Sequence, residues 1–319
     1  MVRGDKSIKN RLLSKVSSMY YDQNLNQQEI ANRLHLSRPK VSRLLKQARE
    51  EGIVRISVIS PSDSFMELEK ALEKKFGLRE ALIVDADAQI SEPSLKREVG
   101  SAAANYLHRT IAKGDVIGVS WGTTLQAMID AMPAKKVDDV HVVQALGGVG
   151  PPEAKAHATD ISRRLSQLLH SRLTLLPAPG IVSSTEAKKV LLSDRQVNGA
   201  LDMFSEINTL CVGIGALETN PVLDHTNEEL PPELYEEIIN SKAVGDIALR
   251  FFDTDGKEID SSLKDLVIGI SLEEMKQVDT VVGIAGGTQK ANVIRGALNG
   301  GLIDVLITDN QTVELLLSD

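Results

Sequence analysis

Aromatic side chains supply 3% of this 319-residue chain. Any core must therefore be filled by Leu, Ile, Val and Ala. There is one cysteine, Cys211, set in the apolar run "TLCVGIG". An intrachain disulfide is excluded, and so is a Cys/His metal cluster. The residue reads as a small buried hydrophobe, in keeping with a reducing compartment. No apolar run approaches the ~18 residues that would suggest a membrane span. The first residues, "MVRGDKSIKNRLLSK", lack the apolar core of a signal peptide. A cytoplasmic protein with no membrane partner is expected. His108, His141, His157, His170 and His225 are scattered and make no ligand pair. No nucleophile–base spacing stands out either, so neither a catalytic residue, a metal nor a cofactor is expected.

What is present is ordinary in bulk and uneven in distribution. Hydrophobic residues make up 42% and charged residues 25%, enough for two domains with real cores. The net charge of −8 hides an asymmetry. Residues 1–57 carry 12 Lys and Arg against 5 Asp and Glu, a surplus of seven positive charges. The remainder carries 24 against 39, a deficit of fifteen. A basic head on an acidic body points to two functions in one chain, with a boundary near residue 57. The head can neutralise phosphates while the body discourages non-specific adhesion.

Within the head, "NQQEIANRLHLSRPKVSRLLKQARE" (26–50) reads as two short helices around a tight turn. Asn26 and Glu29 have the spacing of a capping box. Ile30, Ala31 and Leu34 form an apolar face, with Ala31 the small residue where the helices cross. Ser37 is placed to cap the second helix, and Pro39 falls in its first turn, where a missing N–H costs little. Val41, Leu44, Leu45 and Ala48 then form one buried stripe. The opposite face carries Arg38, Lys40, Ser42, Arg43, Lys46 and Gln47. A helix with a buried stripe and a basic outer face suits the major groove of DNA. His35 stands where such turns usually carry glycine, and histidine tolerates a positive φ better than most residues. Arg38, Lys40, Arg43 and Gln47 are the candidates for base edges, Lys46 and Arg55 for phosphates. An amphipathic helix precedes the pair, with Ile8, Leu12, Leu13, Val16, Met19 and Tyr20 inward. After it the chain turns at Gly52 into "IVRISVIS", a strand that would form a short wing.

The body alternates helices with short apolar strands, among them "EALIVDA", "GDVIGVS", "DVHVVQA", "RLTLLP", "TLCVGIG", "DTVVGIA" and "LIDVLITD". That rhythm means βαβ units and a largely parallel sheet covered on both faces. The segment "IALRFFDTDGKEID" breaks it and reads as a small β-hairpin turning at "DTDGK". Ligands of such sheets bind beyond the carboxyl ends of the strands. Two strand-to-helix loops there could cradle an anion. In "GVSWGTTLQ", Ser120, Gly122, Thr123 and Thr124 offer backbone and hydroxyl donors at a helix start. In "GIAGGTQKA", Gly286, Gly287 and Thr288 do the same and Lys290 adds charge. Neither loop has the spacing of a P-loop or of a dinucleotide fingerprint, and either could be no more than a tight turn. Asp246 and Arg250 could reach the same crevice, or could anchor the hairpin. Gln144, Glu218 and Asp309 also follow strands, the last two as exposed caps.

These segments together resemble the SorC family of bacterial sugar-responsive transcriptional regulators, often grouped with DeoR-type proteins. The resemblance rests on "YYDQNLNQQEIANRLHLSRPKVSRLLKQAREEGIVRISV", "GDVIGVSWGTTL", "LPAPGIVSS", "GDIALRFFD" and "VVGIAGGTQKANVIRGALNGGLIDVLITD". It implies an α/β protein: an N-terminal, winged helix-turn-helix domain over 1–57. A Rossmann-like effector and oligomerisation domain over 58–319 would follow, similar to sugar-phosphate isomerases and glucosamine-phosphate deaminases. It further implies a phosphorylated sugar or polyol as effector, operator DNA as partner, and a homotetramer or dimer. The phosphate site would comprise Gly122, Thr123, Thr124 and Lys290, with Asp246 and Arg250 nearby. Trp121 would shape the sugar pocket, and residues 151–165 would tune which sugar enters. The expected function is a regulator of a sugar or polyol catabolism operon. The rival is a sugar-phosphate isomerase or deaminase with a DNA-binding appendage, disfavoured by the missing acid–base constellation.

Overall fold

The computed structural model describes residues 3–55, 65–87, 89–149, 157–223 and 230–318. The chain divides into two compact units, residues 1–59 and 60–319.

The small unit is three helices, α1 (Arg3–Tyr21), α2 (Gln27–Leu34) and α3 (Arg38–Glu50). Each boundary has a local cause. The Asn26 side chain accepts from the Gln28 and Glu29 amides, and Glu29 returns a bond to the Asn26 amide, so the capping box closes as its spacing predicts. α2 ends because His35 adopts the left-handed conformation, φ 52°. Ser37 occupies the cap position of α3 in extended conformation, but its hydroxyl makes no capping bond. Leu13, Val16, Met19, Ile30, Ala31, Val41, Leu44, Leu45 and Ala48 form one buried cluster. The predicted wing strand falls mostly on residues outside those described; the chain does turn at Gly52, φ 73°.

The large unit runs α4 (Met66–Phe76), β1 (Glu80–Val84), α5 (Glu92–Thr110), β2 (Val116–Val119), α6 (Thr123–Ala131), β3 (His141–Gln144), α7 (Ala158–Leu169), β4 (Arg172–Thr174), α8 (Thr185–Ser193), α9 (Arg195–Asp202), β5 (Thr209–Gly213), β6 (Gly215–Ala216), α10 (Pro232–Ile239), β7 (Gly245–Ile247), β8 (Arg250–Phe252), α11 (Ser262–Leu266), α12 (Leu272–Met275), β9 (Thr280–Ile284), α13 (Ala291–Asn299), β10 (Val305–Asp309) and α14 (Asn310–Leu317). Seven strands form one parallel sheet in the order β1-β10-β9-β5-β2-β3-β4. The strands are apolar on both faces because helices cover both. One core gathers Val99, Ala103, Leu125, Met128, Ile161 and Leu165 from α5, α6 and α7 against the sheet. The other gathers Leu72, Val197, Leu263, Met275, Ile294, Ala297, Val313 and Leu316 from the remaining helices. A Cβ at Gly100 would lie 2.7 Å from the backbone of Ala127, so only glycine lets α5 and α6 cross this closely.

The hairpin is real but turns elsewhere than its sequence suggested. β6, β7 and β8 form a small antiparallel sheet, and the β7–β8 turn is made by Ala248 and Leu249, both at positive φ (52° and 63°) and both buried. "DTDGK" makes the next bend, after β8, closed by a bridge between Phe252 and Glu258. Turn composition pointed to the second bend, but the first is imposed by tertiary contacts on residues that disfavour it.

Candidate functional site

In the small unit, α3 buries its apolar stripe and leaves Arg38, Lys40, Ser42, Arg43 and Lys46 exposed. Lys46 has one acidic neighbour, Glu50 at 3.8 Å. Arg43 makes a long bond from Nε to the Pro39 carbonyl, 3.4 Å, too weak to hold the guanidinium. Gln47 differs from the others. It is partly buried and donates from Nε2 to Glu51 Oε1 at 2.6 Å, so a base contact would have to displace that bond.

In the large unit, strand order locates the crevice. β3 and β4 lie on one side of β2, whereas β9, β10 and β1 lie on the far side of β5. The order therefore reverses between β5 and β2, and the chain leaves these two strands in opposite directions at their carboxyl ends. Both glycine-containing loops border this point. β2 leads to Ser120, whose amide donates to Cys211 O of β5 at 3.1 Å. Gly122, φ 123°, then redirects the chain into α6. Thr123 is exposed and Thr124 buried; the first amides of α6 have no intrahelical acceptor. Ser120 is buried, and its Oγ has no hydrogen-bond partner among the described residues. Such a group costs about 1–3 kcal/mol, which a ligand would recover.

On the other side, β9 pairs Ile284 with Gly213 of β5 before entering the second loop. Asp309, at the end of β10, shapes that loop. Its Oδ2 accepts from the Gly287 amide at 2.7 Å and from Thr312 Oγ1 at 2.7 Å. Asp309 does cap α14, but it is buried rather than exposed. A Cβ on Gly286 would meet Asp309 Oδ2 at 2.8 Å and Val99 at 3.0 Å. The Gly287 amide also lies 3.1 Å from Thr312 Oγ1, so this predicted anion donor is already engaged within the protein. Gly286 allows the loop to close; Gly287 is bonded away from a ligand.

Lys290 is what the loop delivers. Its ammonium donates to Ile214 O, just past β5, at 2.9 Å. Burial lowers its pKa to about 8, and the neighbouring Lys96 adds to this, while Asp246 and Glu92 oppose it. Asp246 sits on β7 opposite Gly215 of β6. Its Oδ1 accepts from Asn220 Nδ2 at 2.7 Å and its Oδ2 from the Leu249 amide at 2.8 Å. Burial raises its pKa to about 6 against those two bonds and Lys290. The crest thus holds a carboxylate, a desolvated ammonium and a second lysine, beside an open helix start.

Comparison with known proteins decides the family. The profile of the family described as "Putative sugar-binding domain" matches residues 60–318. That of the "Crp-like helix-turn-helix domain" matches residues 11–60. The deoxyribonucleoside regulator of Bacillus subtilis is 32% identical over 314 residues, 98% of either chain. The sorbitol operon regulator of Klebsiella pneumoniae is 29% identical, covering 96% of this chain and 98% of its own. The crystal structure of the full-length sorbitol operon regulator SorC of Klebsiella pneumoniae superposes with a TM-score of 0.77 at 28% identity, covering 97% of this chain and 98% of that one. The chain belongs to the SorC family of sugar-binding transcriptional regulators.

For this SorC-family chain the structure sorts the residues expected to bind effector. Ser120, Gly122, Thr123 and Thr124 stand at the end of β2, and Lys290 and Asp246 share a buried environment beyond β5. Arg250 does not join them. Its Nε, Nη1 and Nη2 donate to the carbonyls of Ile270, Lys264 and Gly269 at 3.1, 3.0 and 3.0 Å. Each of its three nitrogens is engaged by a backbone carbonyl, and Nη1 also lies 3.9 Å from the Glu258 carboxylate, which fits the anchoring reading. Two neighbours of Lys290 and Asp246 were not singled out in the sequence. Lys96 lies early in α5, whose start follows the carboxyl end of β1 and so stands on the same crest. Asn220, bonded to Asp246, has an isolated polar side chain in a loop and no sequence signal. Among the described residues no helix is long and apolar enough to cross a membrane.

Proposed function

We propose that this regulator binds a phosphorylated sugar or polyol at the crest of its large unit and that occupancy changes the affinity of α3 for operator DNA. The observation that carries this reading is the part-buried Lys290 ammonium, held on Ile214 O just past β5 at the β2–β5 reversal, with Asp246 and Lys96 as its charged neighbours. A desolvated cation and unpaired amides suit a phosphoryl group, while the Asp246 carboxylate and the Ser120 hydroxyl suit sugar hydroxyls. The relatives' names support it: one is a deoxyribonucleoside regulator and one a sorbitol operon regulator. Exposed Arg38, Lys40 and Arg43 would read base edges; Lys46, the Ser37 hydroxyl and the α3 amides would hold phosphates.

The protein is a sensor rather than a catalyst in this reading. Both oxygens of Asp246 are held by Asn220 and Leu249, which suits recognition better than proton transfer. A ligand switches DNA affinity only by binding one arrangement better than the other. Oligomerisation through the large unit would convert that preference into a change of spacing between recognition helices on half-sites about 34 Å apart. A DNA partner supports a cytoplasmic location. The test is a thermal-shift panel of phosphorylated and unphosphorylated sugars and polyols, with turnover followed in parallel. A rise in melting temperature confined to phosphorylated compounds, without turnover, is expected. Equal shifts with the unphosphorylated forms would remove the phosphoryl requirement, and turnover would restore the enzyme.

A further inference from the structure

Arg250 is a buried charge that makes no contact with the groups assigned to the ligand. Its three carbonyl partners all belong to residues 264–270. That segment is stitched to the exit of β3: Ile270 N donates to Ala145 O at 2.9 Å, Gly147 N donates to Ile268 O at 3.0 Å, and Leu146 bridges Gly269. At its other end Arg250 belongs to the β7–β8 hairpin, which pairs through β6 with the extension of β5 and carries Asp246. In the sheet β2 lies between β5 and β3. One guanidinium therefore ties together the exits of the two strands that flank β2, which are the two sides of the bay above the carboxyl end of β2, where Ser120 and the start of α6 follow.

A charge is an inefficient way to hold a fold, since an apolar side chain of similar volume does as well or better. A planar fork serves where several carbonyls must be kept at set positions. The hairpin also carries strain: Ala248 and Leu249 are buried at φ 52° and 63°, and the Leu249 amide is held by Asp246. Strained backbone of this kind persists only where its surroundings over-determine it.

We propose that Arg250 is a positioning residue that sets the width of the bay above β2, and through it the size of the sugar accepted. The proposal rests on the effector site argued above. Without Arg250 the β3 exit and the Asp246 hairpin separate, and the site loses its discrimination by chain length while keeping its anion-binding groups.

The experiment uses the full chain and Arg250→Lys, which keeps the charge but not the fork. Dissociation constants are measured for inorganic phosphate, ribose 5-phosphate and sorbitol 6-phosphate, and amide hydrogen exchange is followed without any of them. The expected result is a ratio of pentose-phosphate to hexitol-phosphate affinity that shrinks at least fivefold, with phosphate affinity within twofold of wild type. Exchange should quicken at Gly147, Ile268 and Ile270 and stay unchanged along β10. A common loss of affinity for all three probes, or an unchanged ratio, overturns the proposal. If no sugar phosphate binds the wild-type chain, the effector reading fails by itself, and exchange alone decides Arg250: uniform or unaltered exchange overturns its positioning role. Should Arg250→Lys not fold, Arg250→Met, which keeps the length of the side chain but none of its donors and leaves no unpaired buried charge, is read in the same way.

Discussion

Lys290 and Asp246 show what burial does to single groups. Exposed, a lysine and an aspartate would each stay charged over the physiological range. At the crest their values move toward each other, to about 8 and about 6. A phosphoryl group binds the protonated form of Lys290, so affinity for a phosphorylated effector should hold below about pH 8 and fall as pH rises through it. The sign follows from the lowered pKa: the folded apo protein loses this proton as pH rises through about 8, where an exposed lysine would keep it up to about 10.5, and a bound anion must restore it. A sugar phosphate is already largely a dianion above about pH 6, so its own titration does not produce the fall. Calorimetric titration from pH 6.5 to 9.5 checks this, and a flat profile would detach Lys290 from the phosphoryl group. Lys290→Ala should lose the effector response and retain operator binding.

Elements in this protein begin and end for local reasons. The Asn26–Glu29 box starts α2 and His35 stops it, so an eight-residue helix is bounded at both ends by side-chain and backbone geometry. Histidine meets the left-handed requirement at some cost. His35→Gly should therefore stabilise the small unit by up to about 1 kcal/mol, read as a higher midpoint in its thermal unfolding. A lower midpoint would mean that the His35 side chain contributes more than its backbone strain costs. The Ala248–Leu249 turn is the opposite case. Neither turn residue favours it; the Asp246 carboxylate, three residues before Leu249, and the surrounding core hold it.

At the scale of the whole molecule the charge asymmetry becomes a division of labour. The basic small unit presents α3, and the acidic large unit presents a crest where Lys290 and Lys96 meet Asp246 and Glu92, with Lys96 paired to Glu92 at 2.6 Å. The two activities should be separable. Arg43→Ala should weaken operator binding at least tenfold in a gel-shift or anisotropy titration, while the effector-induced thermal shift stays within a degree of wild type. Lys46→Ala should weaken all DNA sequences alike and lower the slope of log affinity against log salt by about one. Unchanged DNA affinity in Arg43→Ala would displace α3 as the reading helix.

Much of this was already decided along the chain, because it depends on neighbours a few residues apart. Apolar periodicity set the helices and strands, Asn26 and Glu29 set the start of α2, Gly77, at φ 73°, set the end of α4, and charge separated the two units. The same short range marked Gly122, Gly286 and Lys290 as loop residues at strand ends. What it could not contain is strand order, since pairing β2 with β5 joins residues about ninety positions apart. From that order come the crevice, the reach of Lys290 to Ile214, the engagement of the Gly287 amide by Asp309, and the bonding of Arg250 to the carbonyls of 264–270. Each is a contact between distant segments, whose energy exists only once the sheet has closed and water has been excluded from its crest.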